Sequence, residues 1–302
     1  MKYSIFCDSR AGARSYNQDR VGYWSTGEAL LMVVADGMGG HLNGEIAAQF
    51  ALDHLAESFK RDAKPKLVNP DLFLFRSIGR VHVMLEQHAR KLGLPETPRT
   101  VIVACVVQNG YAYWSHIGDS RLYLVRKGRV LTRTKDHTRV QQLLDRGRIR
   151  EEAVARHPER NKVLQCLGGR KPPRLAPASS ARLVKGDILL LCSDGLWGPL
   201  AQRQLLRSLM TKDLEPAVAE LVALAETRAG PECDNVSVVA MAWGEDELAP
   251  ADEPHTLPFH ELPTDVQDLA AIDADFMKMT DEEIERAIAE IRSALRKHSG
   301  PR

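Results

Sequence analysis

Five aspartates stand at the ends of apolar, strand-like runs or in the turns beside them, and that placement constrains the fold of this chain more than any other feature. They lie in RSYNQD (14–19), ADGMGGH (35–41), GDSR (118–121), SDGLW (193–197) and CDN (233–235). Carboxylates so far apart in sequence meet only if the strands that carry them stand side by side, with the right ends on one edge. Collected there, they repel one another unless cations sit among them. The motifs hold no histidine–cysteine cluster, and oxygen-only ligation selects hard ions such as Mg²⁺ or Mn²⁺. The pattern therefore implies sheets with a two-metal hydrolytic site at one end.

Short apolar runs read as strands at 3–7, 30–35, 101–107, 112–117, 121–125, 188–192 and 236–243. Asn109-Gly110 marks a type I′ hairpin, whose two central residues both need positive φ. Lys127-Gly128 makes a weaker version of the same turn, so the sheets are expected to be largely antiparallel. Helical periodicity covers 45–59, 70–92, 138–146 and 214–228. In the first, Ile46, Phe50, Leu55 and Phe59 fall near one face; the last repeats Val218, Leu221, Val222 and Ala225 at helical spacing. Pro70 opens the second in its first turn, where no hydrogen-bond donor is lost. Long helices come before and after groups of strands, not between every pair. That order predicts an α+β layered fold with helices on the outer faces of the sheets.

Composition narrows the function classes. The 302 residues are 44% hydrophobic and 27% charged, the balance of a soluble globular protein. A formal charge of +1, with no nucleic-acid-binding motif, gives no ground for a DNA or RNA partner. The N-terminal MKYSIFC lacks the apolar core of a signal peptide, and the longest apolar run, 29–35, is far short of the roughly 20 residues a membrane helix needs. The expectation is a cytoplasmic protein with no membrane partner. The cysteine count is odd and there is no CxxC pair; Cys7, Cys105, Cys166 and Cys192 lie in apolar segments and read as buried free thiols. Cys233 adjoins Asp234 and reads either as a plain loop cysteine or as an oxidation-sensitive neighbour of a metal site.

Charge is unevenly distributed. Residues 121–174 carry 16 Lys/Arg against 5 Asp/Glu, whereas 245–302 carry 15 Asp/Glu against 6 Lys/Arg, so the acidic tail is expected to fold back over the basic segment and compete with substrate. The acidic, proline-dotted stretch 244–279 reads as a linker. Residues 280–298 then read as an amphipathic helix, with Thr280 and Glu283 as a capping box and Ile284, Ile288, Ile291 and Leu295 as one apolar stripe. That stripe must bury against the domain body or a partner protein.

In order, RxxNxD, DGMGGHxxGE, GDSR, KDH, SDGL and DN resemble the metal-dependent protein phosphatases, the type 2C serine/threonine family, in its bacterial branch. Any one of these motifs is a common turn sequence, but all of them in this order, over residues 1–243, are specific. The resemblance implies a four-layer α-β-β-α sandwich, two central antiparallel sheets flanked by helices. It implies two Mn²⁺ or Mg²⁺ ions in a channel at one end, with a third, looser ion beside them. Asp36 would bridge the two core ions, and the backbone carbonyl of Gly37 would bind one of them. Asp194 and Asp234 would hold the other, and Asp19 would orient water or metal. Asp119 would contribute, with Asp194, to the third site, and Arg14 would clamp the substrate phosphate. Two metals roughly 3.5–4 Å apart bring a bridging water near neutral pKa for in-line attack on phosphorus. The same cations meet the charge that develops on the phosphoryl oxygens. Arg14 suits its role because its fork binds two oxygens at once, and Gly37, Gly39 and Gly40 permit backbone conformations that bring a carbonyl to a metal. His41 would protonate the leaving oxygen or orient water; a structural hydrogen bond is the equal alternative. The segment 138–174 corresponds to the flap beside the active site of bacterial relatives. It is either a solvated basic face or a surface that steers phosphoproteins.

The implied activity is hydrolysis of phosphoserine and phosphothreonine in proteins, with a eukaryotic-like serine/threonine kinase as counterpart. The alternative from another class is a pseudophosphatase that binds phosphoproteins without turning them over, although a binding module does not need Asp119, Asp194 and Asp234 together. A third reading, with the same chemistry, is a dedicated phosphatase of one signalling-switch protein. Two positions depart from the family pattern. Gln18 stands where many relatives carry Glu, which removes a negative charge, and TPRT (97–100) replaces a glycine-threonine motif, so no role for Thr100 follows. His116, His137 and His157 read as packing or surface histidines, and Asp136 as a structural anchor.

Overall fold

The computed structural model describes residues 1–38, 43–154 and 157–244. His41, the expected helix at 280–298 and all of the expected linker except Gly244 lie outside the described residues. The described strands are β1 (Tyr3–Arg10), β2 (Arg20–Ser25), β3 (Ala29–Met38), β4 (Arg99–Gln108), β5 (Tyr111–Ile117), β6 (Arg121–Arg126), β7 (Arg129–Arg133), β8 (Ser179–Arg182), β9 (Ile188–Cys192) and β10 (Val236–Trp243). They pair antiparallel into two five-stranded sheets, ordered β1-β10-β9-β6-β7 and β2-β3-β4-β5-β8. Asn109 (φ 53°) and Gly110 (φ 76°) form the expected turn between β4 and β5, and Lys127 (φ 49°) with Gly128 (φ 73°) repeats it between β6 and β7.

The apolar pattern explains the layering. Along β3, Leu31, Val33 and Ala35 face the helices, while Leu30, Met32 and Val34 alternate with them into the space between the sheets. A strand covered on both faces reads as an unbroken apolar run, which is why this segment shows no polar alternation. The inter-sheet core is completed by Val103 and Cys105 from one sheet and by Leu122, Leu191, Val239 and Met241 from the other. The helices α1 (Gly44–Asp62) and α2 (Pro70–Leu92) cover the β3 sheet. After the short α3 (Arg139–Asp145), α4 (Glu151–Val154) and α5 (Asp194–Trp197), the helices α6 (Gln202–Thr211) and α7 (Leu214–Ala229) cover the β10 sheet. The result is an α+β, four-layer α-β-β-α sandwich. The start of α2 follows its sequence: Asn69 accepts a hydrogen bond from the Leu72 N–H and Pro70 occupies the first turn, and Gly93 (φ 61°) ends the helix. No helix among the described residues is long and apolar enough to cross a membrane.

Register brings the right strand ends together. Arg10 at the end of β1 faces Val236 at the start of β10, and Cys192 at the end of β9 faces both Val238 and Arg121. In the other sheet Arg20 faces Ala35, Asp36 faces Val101, and Ile102 faces Ile117. The loop from β1 to β2 crosses between the sheets at this edge, where the Gln18 N–H donates to Asn235 Oδ1 at 2.8 Å.

Candidate active site

The five aspartates collect at that edge. Asp19 precedes β2, Asp36 lies near the end of β3, Asp119 follows β5, Asp194 opens α5 directly after β9, and Asp234 precedes β10. Their electrostatics record the crowding. Burial first, then the charges of Asp19, Asp194, Asp119 and Asp234, hold the Asp36 carboxyl well above its ordinary range. Asp19 is pushed up to about 7, mainly by burial and against the hydrogen bonds of Ser237 and Ser193. Asp194 reaches about 6 through burial and the neighbouring Asp234, and Asp119 about 8 through burial and Asp194. Carboxylates that raise one another in this way form a site whose charge calls for cations.

The residues present fit hard divalent ions. The donors are oxygens, and Asp19 Oδ2 is buried with no hydrogen-bond partner, a vacant acceptor in a place where vacancy is costly. At Gly37 a Cβ would strike the backbone of Gly44 and the carbonyl of Gln18, so only glycine lets β3 and the start of α1 approach this closely. Among the described residues, no three Asp, Glu, His or Cys side chains form a closed ligand cluster by themselves.

Neutral side chains hold the charged ones in place. Asn17 Oδ1 accepts from the Asp19 N–H at 3.0 Å, while its amide donates to Ser9 Oγ at 2.8 Å. Asn235 donates to the carbonyls of Ala11 (2.9 Å) and Tyr16 (3.1 Å) while accepting from Gln18 N–H, so one buried amide fixes both flanks of the loop that carries Arg14. The Arg14 guanidinium stays largely exposed and reaches Asp234 Oδ2 at 2.9 Å. Thr100 faces Gly37 across the β3–β4 ladder and donates its hydroxyl to the Asp36 carbonyl at 2.7 Å, which gives it the role its motif did not reveal. Arg121 clamps Asp136 through Nε (2.8 Å) and Nη2 (2.6 Å) and lies 3.4 Å over the Trp197 ring, whose indole donates to the Asp119 carbonyl at 3.0 Å. Asp136 is thus an anchor, as expected.

Other expectations find their places. The Gln18 amide donates to Glu45 Oε2 at 3.3 Å, so a glutamate at 18 would set two carboxylates against each other. His116 and His137 stack with ring centroids 4.5 Å apart, and His137 Nδ1 accepts from the Gly118 N–H. Cys105 and Cys192 are buried thiols, but Cys7, on the edge strand β1, and Cys166, in the segment between α4 and β8, are only partly covered, which departs from expectation. Cys233 is 2% exposed and burial raises its thiol, which fits a plain structural cysteine. The basic segment is tied to the aspartate edge: just before it the His137 N–H donates to the Gly118 carbonyl at 2.8 Å, and within it Leu167 bridges to Thr100, while Thr138 bridges to Val163 inside the segment.

Comparison with known proteins gives one answer. Residues 8–229 match the family model for protein phosphatase 2C. The chain is 34% identical over 249 residues to the serine/threonine protein phosphatase PstP of Mycobacterium tuberculosis, an alignment that covers 79% of this chain and 44% of that protein. It is 31% identical over 241 residues to the protein phosphatase PhpP of Streptococcus pneumoniae, covering 78% of this chain and 94% of the relative. Among solved structures, the catalytic domain of PstP in complex with two manganese ions superposes with a TM-score of 0.70 at 30% identity, covering 80% of this chain and 99% of that one.

Proposed function

The chain belongs to the protein phosphatase 2C family, and from that membership we propose that it hydrolyses phosphoserine and phosphothreonine esters in proteins, using two core Mn²⁺ or Mg²⁺ ions and a third, looser one. The observation that carries this reading is the convergence of four carboxylates raised by burial and by their acidic neighbours, with Asp234 beside them and its partner Arg14 exposed. Asp36, Asp194, Asp234, Asp19 and the Gly37 carbonyl would hold the core ions, and Asp119 with Asp194 the third. When bound, the ions neutralise the carboxylates and activate water for attack on phosphorus.

The chain's own residues supply the rest. Arg14 offers its fork to two phosphoryl oxygens, and the ion pair with Asp234 holds the fork at the site's mouth. Asn235 and Asn17 fix the loop on either side of it. Thr100 and Gly37 fix the Asp36 backbone, and the Arg121–Trp197 stack fixes Asp119. The segment 138–174 acts as a flap, a role supported by its bridge from Leu167 to Thr100, next to Asp36, and by its excess of basic residues, which attracts phosphoproteins. The counterpart is a eukaryotic-like serine/threonine kinase. Free thiols throughout suit a reducing, cytoplasmic setting.

Hydrolysis of p-nitrophenyl phosphate and of a phosphothreonine peptide, with and without Mn²⁺, tests the reading. Turnover is expected to require metal and to fall by on the order of a hundredfold or more in Asp36→Ala and Asp194→Ala. Folded wild-type protein that turns over neither substrate with Mn²⁺ present would make it a phosphoprotein-binding module instead.

A further inference from the structure

The helix α2 carries none of the five aspartates, yet it holds the chain that runs from the basic segment to β8 at two points. In its first turn Asp71 accepts from the Ala178 N–H at 2.6 Å, one residue before β8. About three turns later His82 Nδ1 accepts from the Gly168 N–H at 3.1 Å. That spacing puts both side chains on one face of the helix. Both bonds are buried, and both join positions far apart in sequence.

The His82 bond makes the stricter demand. Only a neutral ring with its proton on Nε2 accepts at Nδ1. Burial lowers the pKa of His82 and so keeps the ring neutral, while Glu86 Oε1, 3.8 Å from Nε2, faces the proton and pulls the other way. Arg90 in turn pairs with Glu86 at 3.3 Å. On the far side of the bond Gly168 adopts φ 74°, and a Cβ there would strike the Pro98 carbonyl. Its neighbour Leu167 exchanges two backbone hydrogen bonds with Thr100, at 2.8 and 3.2 Å. Thr100 itself belongs to β4 and is held in the ladder with β3. Without the His82 ring the Gly168 N–H would lose its buried acceptor. That loss falls on Gly168 and the segment it belongs to, because the ladder keeps Thr100 in place.

We propose that His82 is a positioning residue for the phosphoprotein substrate: through the Gly168 N–H it fixes the base of the segment 138–174 against β4, so that the flap meets the polypeptide around the phosphate in one place. This rests on the reading of that segment as a flap. His82 acts through Gly168 and leaves the hydrolytic step alone, since the Thr100 hydroxyl that bonds the Asp36 carbonyl stays on its own strand. Removing the acceptor therefore weakens binding of a protein substrate and spares the chemistry at the aspartates.

Three variants of the full chain separate this role from a merely structural one. His82→Leu fills the space without an acceptor, and His82→Asn keeps a carbonyl oxygen near the place of Nδ1. His82→Gln carries its oxygen one bond further out. Hydrogen exchange read by mass spectrometry follows the amides of residues 163–171. Exchange there is expected to rise about tenfold or more in His82→Leu and to stay near wild type in His82→Asn. With Mn²⁺ present, KM for a phosphothreonine peptide rises about three- to tenfold in His82→Leu while kcat changes by less than about twofold, and His82→Asn restores KM. Both constants for p-nitrophenyl phosphate, which has no polypeptide to meet the flap, stay within about twofold of wild type. Should His82→Leu not fold, His82→Gln takes its place with the same expectations. Unchanged exchange in the variant that lacks the acceptor overturns the proposal. So does a peptide KM that does not move, or an equal loss with both substrates. Wild-type protein that turns over neither substrate refutes the phosphatase reading instead. The exchange data, with the dissociation constant of the peptide from calorimetry in place of KM, then judge His82 by the same fold-changes.

Discussion

Asn235 carries no charge, yet it fixes three backbone positions of the loop that presents Arg14. Replacing it with alanine leaves those groups without their partner and frees the loop. Asn235→Ala is expected to lower kcat/KM by on the order of tenfold to a hundredfold, since small displacement of a positioning group is costly. Because it acts through Arg14, the double variant Arg14→Ala/Asn235→Ala should be little worse than Arg14→Ala alone, a non-additivity that a double-mutant cycle reads directly. Full additivity would assign Asn235 a role of its own. At this scale the sequence speaks unevenly. The aspartates stand out because each interrupts or ends an apolar run. Asn235 and Thr100 act through hydrogen bonds to backbone atoms remote in sequence, and no local pattern announces such a partner. The same holds for Gln18, whose partner Glu45 becomes apparent only when α1 packs against the Gln18 loop.

Among elements, those buried on two faces were the legible ones. β9 and β10 and the helix α2 occupy the spans their apolar patterns predict, 188–192, 236–243 and 70–92. The strands β2, β7 and β8 escape such a reading because they close sheet edges: β7 alternates exposed and half-covered residues, and β8, Ser-Ser-Ala-Arg, is half-covered throughout. The helix α6 escapes it too, since only Leu205, Ser208 and Leu209 are buried in a segment rich in Gln and Arg. Turn chemistry was more reliable than propensity. Gly110 adopts φ 76° at the tight end of the β4–β5 hairpin, which lies at the opposite end of the ladder from Ile117 and Asp119. Gly110→Ala should therefore cost about 1–2 kcal/mol of stability, seen as a lower urea midpoint. Turnover per folded molecule should not change; a loss of turnover at unchanged stability would mean the hairpin communicates with the site.

For the molecule as a whole, the carboxylate cluster sets how stability responds to pH. Asp19, Asp194 and Asp119 have folded-state values of about 7, 6 and 8, against an ordinary value of 3.8. Between those limits the folded state holds protons that the unfolded chain has released, so without metal stability is greatest at the acidic end and falls as pH rises through the raised values. Thermal unfolding in chelator should show a declining Tm from pH 5 to pH 8. Added Mn²⁺ should raise Tm more at pH 8 than at pH 5, because cations compete with those protons. A Tm in chelator that rises over the same range would contradict the proposed crowding. The layered sandwich itself was expected from the order of strands and helices, whereas the meeting of its two sheets at one charged edge depends on register, which no single segment carries.

β10, nearly the last described segment, is the interior strand between β1, the first, and β9. During synthesis from the N-terminus, β1 has no neighbour in its sheet until β10 leaves the ribosome, and the loop bearing Arg14 has no Asn235 to hold it. Catalytic competence thus appears late and all at once, so a nascent or prematurely terminated chain remains inert toward the phosphoproteins around it.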